Sequence, residues 1–190
     1  MLEAFLVCTG AVALGEIGDK TQLLALMLAA RFRRPWPIVL GILVATLVNH
    51  SLAAGIGAAV AHTLGPQLLR WAIGLGFIAM AAWMLVPDKA DEVDTSRGHF
   101  GVFGSTLLAF FLAEMGDKTQ LATVALAARY PDLLAVVAGT TTGMLLADVP
   151  AVFLGGRAAQ ALPMRLVHGI SAGVFALLGV LALLNVGTLF

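Results

Sequence analysis

Cysteine is almost absent from this chain, with Cys8 the only one in 190 residues. That excludes a disulfide scaffold and any thiolate-rich metal site. Charge is scarce too: 12% of residues, with eleven Lys and Arg balanced by eleven Asp and Glu. A soluble domain normally carries about twice that fraction, and without a basic excess nothing favours nucleic acid as a partner. The N-terminus has Glu3 where a secretory signal needs positive charge, so no cleaved leader is expected. No polar stretch exceeds Asp88–His99, which argues against a soluble domain. Apolar residues, by contrast, make up 60% of the chain, and the mean hydropathy is +0.97. Disorder needs low hydrophobicity and is excluded. The sequence reads as an all-α polytopic membrane protein.

A membrane-crossing helix needs about 20 apolar residues. Charged and turn residues cut the sequence into six such segments, near 4–30, 37–61, 67–86, 100–128, 133–156 and 166–188. Pro and Gly fall at the breaks, where helices end. Loops after the first, third and fifth segments hold Arg31, Arg33, Arg34, Lys89, Arg97, Arg157 and Arg165, whereas the opposite side holds only Arg70 and Arg129. The richer side should be cytoplasmic, leaving both termini outside the cytoplasm.

The chain repeats itself. Glu16-Ile-Gly-Asp-Lys-Thr-Gln22 returns 98 residues later as Glu114-Met-Gly-Asp-Lys-Thr-Gln120, and eleven of the sixteen positions in 16–31 and 114–129 are identical. At the same offset Gly41 matches Gly139 and Leu47 matches Leu145. This predicts a first three-helix repeat over 1–87, a cytoplasmic linker over 88–99 and a second repeat over 100–190. Three spans per repeat is an odd number, so the second copy would run inverted, as in many secondary transporters.

Both motifs put Glu, Asp and Lys near the middle of a span. Six such residues facing lipid would cost on the order of 15 kcal/mol, so they must face one another or a water-filled cavity. On an unbroken helix Glu16, Asp19 and Lys20 share one face, as do Glu114, Asp117 and Lys118. Gly18 and Gly116 could equally break each helix and free backbone carbonyls as ligands; the sequence leaves that open. Four carboxylates and two ammonium groups sum to −2, a charge one divalent cation or two protons would neutralise. Oxygen donors suit Mn²⁺, Ca²⁺ or Mg²⁺. A carboxylate held out of water binds a proton more readily, so charge counting points to cation exchange against protons. The plainer alternative makes the motifs ion-paired glue between helices, but their surplus of acid argues against it.

Other polar residues supplement this cluster. Asn49-His50 sits at the repeat offset opposite Ala147-Asp148. Asn49 and Asp148 are candidates for a supporting shell or proton path, together with Lys20, Thr21, Gln22, Lys118, Thr119 and Gln120. His50 could relay protons, ligate a metal or simply pack. Glu3 and Asp132 read as solvated. No Gly-rich phosphate loop and no triad-like partner for Ser51, Ser105 or Ser171 appears, so no enzyme and no resident cofactor is expected.

At the two motifs the chain resembles a family of small membrane proteins marked by a duplicated E-x-G-D-K-[TS] signature, which includes bacterial manganese exporters and organellar Mn²⁺/Ca²⁺ transporters. Both copies match in full, at Glu16–Thr21 and Glu114–Thr119. The resemblance implies cation/proton exchange, with Glu16, Asp19, Glu114 and Asp117 forming the metal site. It further implies an Mn²⁺ exporter of the bacterial inner membrane, with divalent cation and protons as its partners in exchange. A Ca²⁺/H⁺ antiporter of the same fold and a non-transporting membrane scaffold are the rival readings. Monomer and homodimer both remain compatible with the sequence.

Overall fold

A computed structural model describes residues 1–86, 100–154 and 164–185, with the side chains of 164 and 165 excepted. The linker expected at 88–99 and Arg157 lie outside the described residues. Among the described residues eight helices follow one another and no strand occurs: α1 (Leu2–Glu16), α2 (Lys20–Phe32), α3 (Pro35–Thr63), α4 (Pro66–Met84), α5 (Gly101–Glu114), α6 (Lys118–Arg129), α7 (Leu133–Leu154) and α8 (Met164–Leu184). The stretches Pro35–Thr63, Pro66–Met84, Leu133–Leu154 and Leu166–Leu184 are long and apolar enough to cross a membrane. Each remaining expected span, 4–30 and 100–128, consists of two shorter helices that part at a motif.

Local chemistry sets these boundaries. Pro35 and Pro66 open α3 and α4 at the first helical position, where a missing N–H costs nothing. Arg33 ends α2 in the left-handed region at φ 52°. Asp132, read as solvated, instead accepts the Ala135 N–H at 3.1 Å and caps α7. Pro150 lies within α7 without ending it.

Two short helices followed by two longer ones occur twice along the chain, and the halves exchange packing partners. α1 lies chiefly against α7, and its counterpart α5 against α3; α4 and α8 pair with each other. Two apolar clusters result. One gathers Cys8, Ala54, Phe77, Leu126, Val136 and Phe175; the other gathers Leu24, Leu28, Ile42, Ala45, Phe110 and Val152. Along α1–α2, α3, α5–α6 and α7, the buried polar residues Glu16, Asp19, His50, Glu114, Asp117 and Asp148 fall between the two clusters.

Close backbone approach makes the α1–α7 contact. Thr9 donates to the Gly139 carbonyl at 3.1 Å. A Cβ added at Gly139 would stand 2.6 Å from the Phe5 carbonyl oxygen and 2.9 Å from Cys8 Cβ. Gly139→Val should therefore push the helices apart and cost about 3 kcal/mol. Thermal unfolding in detergent checks this; a transition unchanged from wild type would show that the helices are not held this close.

Candidate metal centre

The two motifs adopt the same backbone. α1 ends at Glu16 and α5 at Glu114. Ile17 and Met115 are extended, with φ/ψ of −62/115° and −64/118°. Gly18 and Gly116 then take φ of 86° and 77°, a region glycine enters without steric cost. Asp19 and Asp117 follow at −84/173° and −83/167° and sit at the N-caps of α2 and α6. The Asp19 N–H reaches back to the Glu16 carbonyl at 3.0 Å, and the Asp117 N–H to that of Glu114 at 3.1 Å. Gln22 accepts the Gly18 N–H at 3.1 Å, and Gln120 accepts the Gly116 N–H at 2.8 Å. Each motif thus specifies a break: glycine for the dihedral, Asp for the new helix start, and Gln to hold the loop. Gln22 also donates to the Ala147 carbonyl of α7 at 3.0 Å. Both glutamines, expected to complete an ion shell, therefore brace the break.

The break changes how the acids meet. The shared-face arrangement of an unbroken helix does not form, because the chain turns between Glu16 and Lys20. Instead Glu16, Asp19 and Asp117, all buried, each offer one oxygen within 4.8 Å of the others. The lysines cross over. Lys20 Nζ lies 3.5 Å from Asp117 Oδ1, and Lys118 Nζ lies 3.8 Å from Asp19 Oδ2. Each motif's ammonium group therefore serves the other motif's aspartate, which ties the two breaks together. Lys118 is 2% exposed, so its pairing is sheltered from water.

Glu114, the fourth expected ligand, faces a different neighbour. Its Oε2 is 3.6 Å from Nε2 of the fully buried His50 on α3. Asp148, the repeat equivalent of His50 on α7, is fully buried and lies near both Glu16 and Glu114. The two glutamates share acidic neighbours, but Glu114 has in addition the imidazole of His50. The offset that aligns His50 with Asp148 was the sequence signal for this asymmetry, but the exchange of packing partners was needed to see it.

The remaining expected residues surround the cluster. Thr21 donates to Glu16, although on a continuous helix it would have pointed away. Thr119 is buried and lies beside the same carboxylate. Asn49 donates to the Phe111 carbonyl at 3.1 Å and so holds α5 on α3. Among the described residues, Glu16 Oε1 and both carboxylate oxygens of Asp148 are buried with no hydrogen-bond partner. Buried acceptors left this way are costly unless a proton or a cation satisfies them.

The donor set is all oxygen and carries surplus negative charge: Glu16, Asp19, Glu114, Asp117 and Asp148 against Lys20 and Lys118. Two oxygens bound to one ion at roughly 2.3–2.6 Å can stand at most about 5 Å apart. The spread of Glu16, Asp19 and Asp117 falls within that limit. The carbonyl ends of α1 and α5 add further partial negative charge.

Comparison with known proteins agrees with this chemistry. The family profile described as "Divalent cation/proton antiporter GDT1" matches residues 4–92 and 102–188. A protein of Vibrio cholerae serotype O1 described as a candidate manganese exporter is 51% identical over 168 residues, covering 88% of this chain and 84% of its own length. A Synechocystis GDT1-like protein is 29% identical over 93% of this chain and 96% of its own length. "GDT1-like protein 3" of Oryza sativa subsp. indica is 28% identical over 92% of this chain and 71% of its own length. No solved structure gives a significant match.

Proposed function

Because the chain belongs to the GDT1 family of divalent cation/proton antiporters, we propose that it exports Mn²⁺ from the cytoplasm in exchange for protons. The bacterial inner membrane would be its location. The observation that carries this reading is the meeting of Glu16, Asp19 and Asp117 from both motifs, with buried carboxylate oxygens still lacking partners beside them.

In this reading the two halves are inverted three-span repeats, 1–87 and 100–190, joined by a cytoplasmic linker. The arginine-rich end with Arg31, Arg33 and Arg34 faces the cytoplasm, and the termini lie outside. Glu16, Asp19 and Asp117 bind the ion. Lys20 and Lys118 neutralise the two aspartates and keep the breaks aligned while it is absent. Glu114 with His50, and Asp148, take up protons as the metal leaves. Two protons for one Mn²⁺ would be electroneutral, and the surplus acid accommodates that ratio. Rocking of one half against the other about the breaks gives alternating access.

Purified protein in vesicles, with a metal-sensitive dye and an imposed pH gradient, tests the proposal. Mn²⁺ flux should follow the gradient and stop when a protonophore collapses it. Excess Ca²⁺ should reduce the flux only weakly. Flux indifferent to the gradient would remove the exchange reading, and full competition by Ca²⁺ would transfer it to that ion.

A further inference from the structure

We propose a separate anionic-phospholipid site on the face formed by α3, α4 and α6, with the lipid phosphate held by Arg70 and Arg129 and an acyl chain in the adjoining groove. The groove has a volume of about 270 Å³ and an almost wholly apolar lining that includes Val60, Gly76, Trp83, Leu121 and Ala125. A side chain is missing where it would fill this space: a Cβ added at Gly76 would meet no atom within 4 Å. At one end the groove shares Leu69, Ile73 and Ala128 with a second cavity of about 410 Å³. That cavity is also lined by Pro66, Gln67, Asn185 and both arginines. An apolar trough therefore opens directly into a cationic mouth, matching the chemistry of one phospholipid molecule.

Charge strengthens the match. Among the described residues, two cations and no acid line the two cavities. Arg70 is half-buried, and its Nε has no hydrogen-bond partner among the described residues. Arg129 is stacked over the Tyr130 ring, 5.0 Å from its centroid, which holds its planar fork in a fixed orientation. The charge of Glu3 reaches Arg129, but Glu3 is exposed and outside the lining. The first turn of α4 begins at the same mouth without a side-chain cap, adding its N–H groups to the positive field. Arginine suits a phosphate because its paired donors meet two oxygens at once. The alkyl chain seated alongside separates a lipid from free phosphate.

Native mass spectrometry of the full chain in detergent, with phosphatidylglycerol, phosphatidylcholine or inorganic phosphate added, tests this. Phosphatidylglycerol should be retained about tenfold better than phosphatidylcholine, and inorganic phosphate should not compete with it at equal concentration. The R70Q/R129Q double variant should lose that preference, while R70K should keep most of it. Gly76→Leu leaves both arginines in place and fills the groove, so it should also weaken phosphatidylglycerol retention even if the double variant fails to fold. Equal retention of the two lipids, displacement by phosphate alone, or a Gly76→Leu protein with unchanged retention would each overturn the site. None of these readouts depends on ion transport.

Discussion

Glu16→Gln is expected to reduce pH-driven Mn²⁺ flux on the order of 100-fold or more, since in the proposed exchange it removes a direct ligand, a larger loss than that typical of a supporting residue. The substitution keeps the shape of the side chain and removes the charge at the point where both motifs meet. Asp117→Asn should act alike. Glu114→Gln should differ, because that carboxylate lies against His50 and outside the three oxygens that approach one another within 4.8 Å. Its protein should still bind Mn²⁺ at equilibrium but lose the dependence of flux on the proton gradient. Isothermal titration alongside vesicle flux separates the two outcomes. Equal loss of Mn²⁺ binding in Glu16→Gln and Glu114→Gln would refute the division of labour. Unchanged flux in all three variants would favour the scaffold reading.

Lys118→Met should destabilise the protein by about 3–5 kcal/mol, because it leaves Asp19 buried without its partner across the break. Adding Asp19→Asn should recover much of that loss while transport stays absent. The same compensation should link Lys20 to Asp117, more weakly, since Lys20 has a side-chain exposure of 21%. Glu16 and Lys20, neighbours in sequence at the spacing of one helical turn, should show little coupling because the chain turns between them. Unfolding in detergent for each double-mutant cycle gives the answer directly. Additive losses for Asp19 and Lys118, with strong coupling between Glu16 and Lys20, would mean each motif neutralises itself.

Much of the architecture was legible because the bilayer simplifies the code. Segments 37–61, 67–86, 133–156 and 166–188 each coincide closely with one long helix, since length and apolarity leave few alternatives. The duplicated motif likewise announced buried charge, because so many ionisable groups cannot face lipid. The route by which the acids converge was hidden. Helical periodicity put Glu16, Asp19 and Lys20 on one face, but Gly18 at positive φ cancels that periodicity. A glycine permits such a dihedral without requiring it, so the sequence alone could not choose. Gln22 and Gln120 were harder still. Their oxygens suit a metal as well as a backbone N–H, and only the folded loop shows them on Gly18 and Gly116. The lysine crossover depends on which half packs against which, a long-range fact that no local pattern encodes.

The exchanged packing of α1 on α7 and α5 on α3 bears on how the protein is made. While the ribosome is still translating the second half, Glu16 and Asp19 have neither Asp117 beside them nor Lys118 to answer them. The nascent first half must hold Glu16 and Asp19 without these late partners until α6 emerges. Maturation is thus a closing step between early and late segments, and a chain stalled near the linker would leave the translocon with its charges exposed, a ready substrate for membrane quality control.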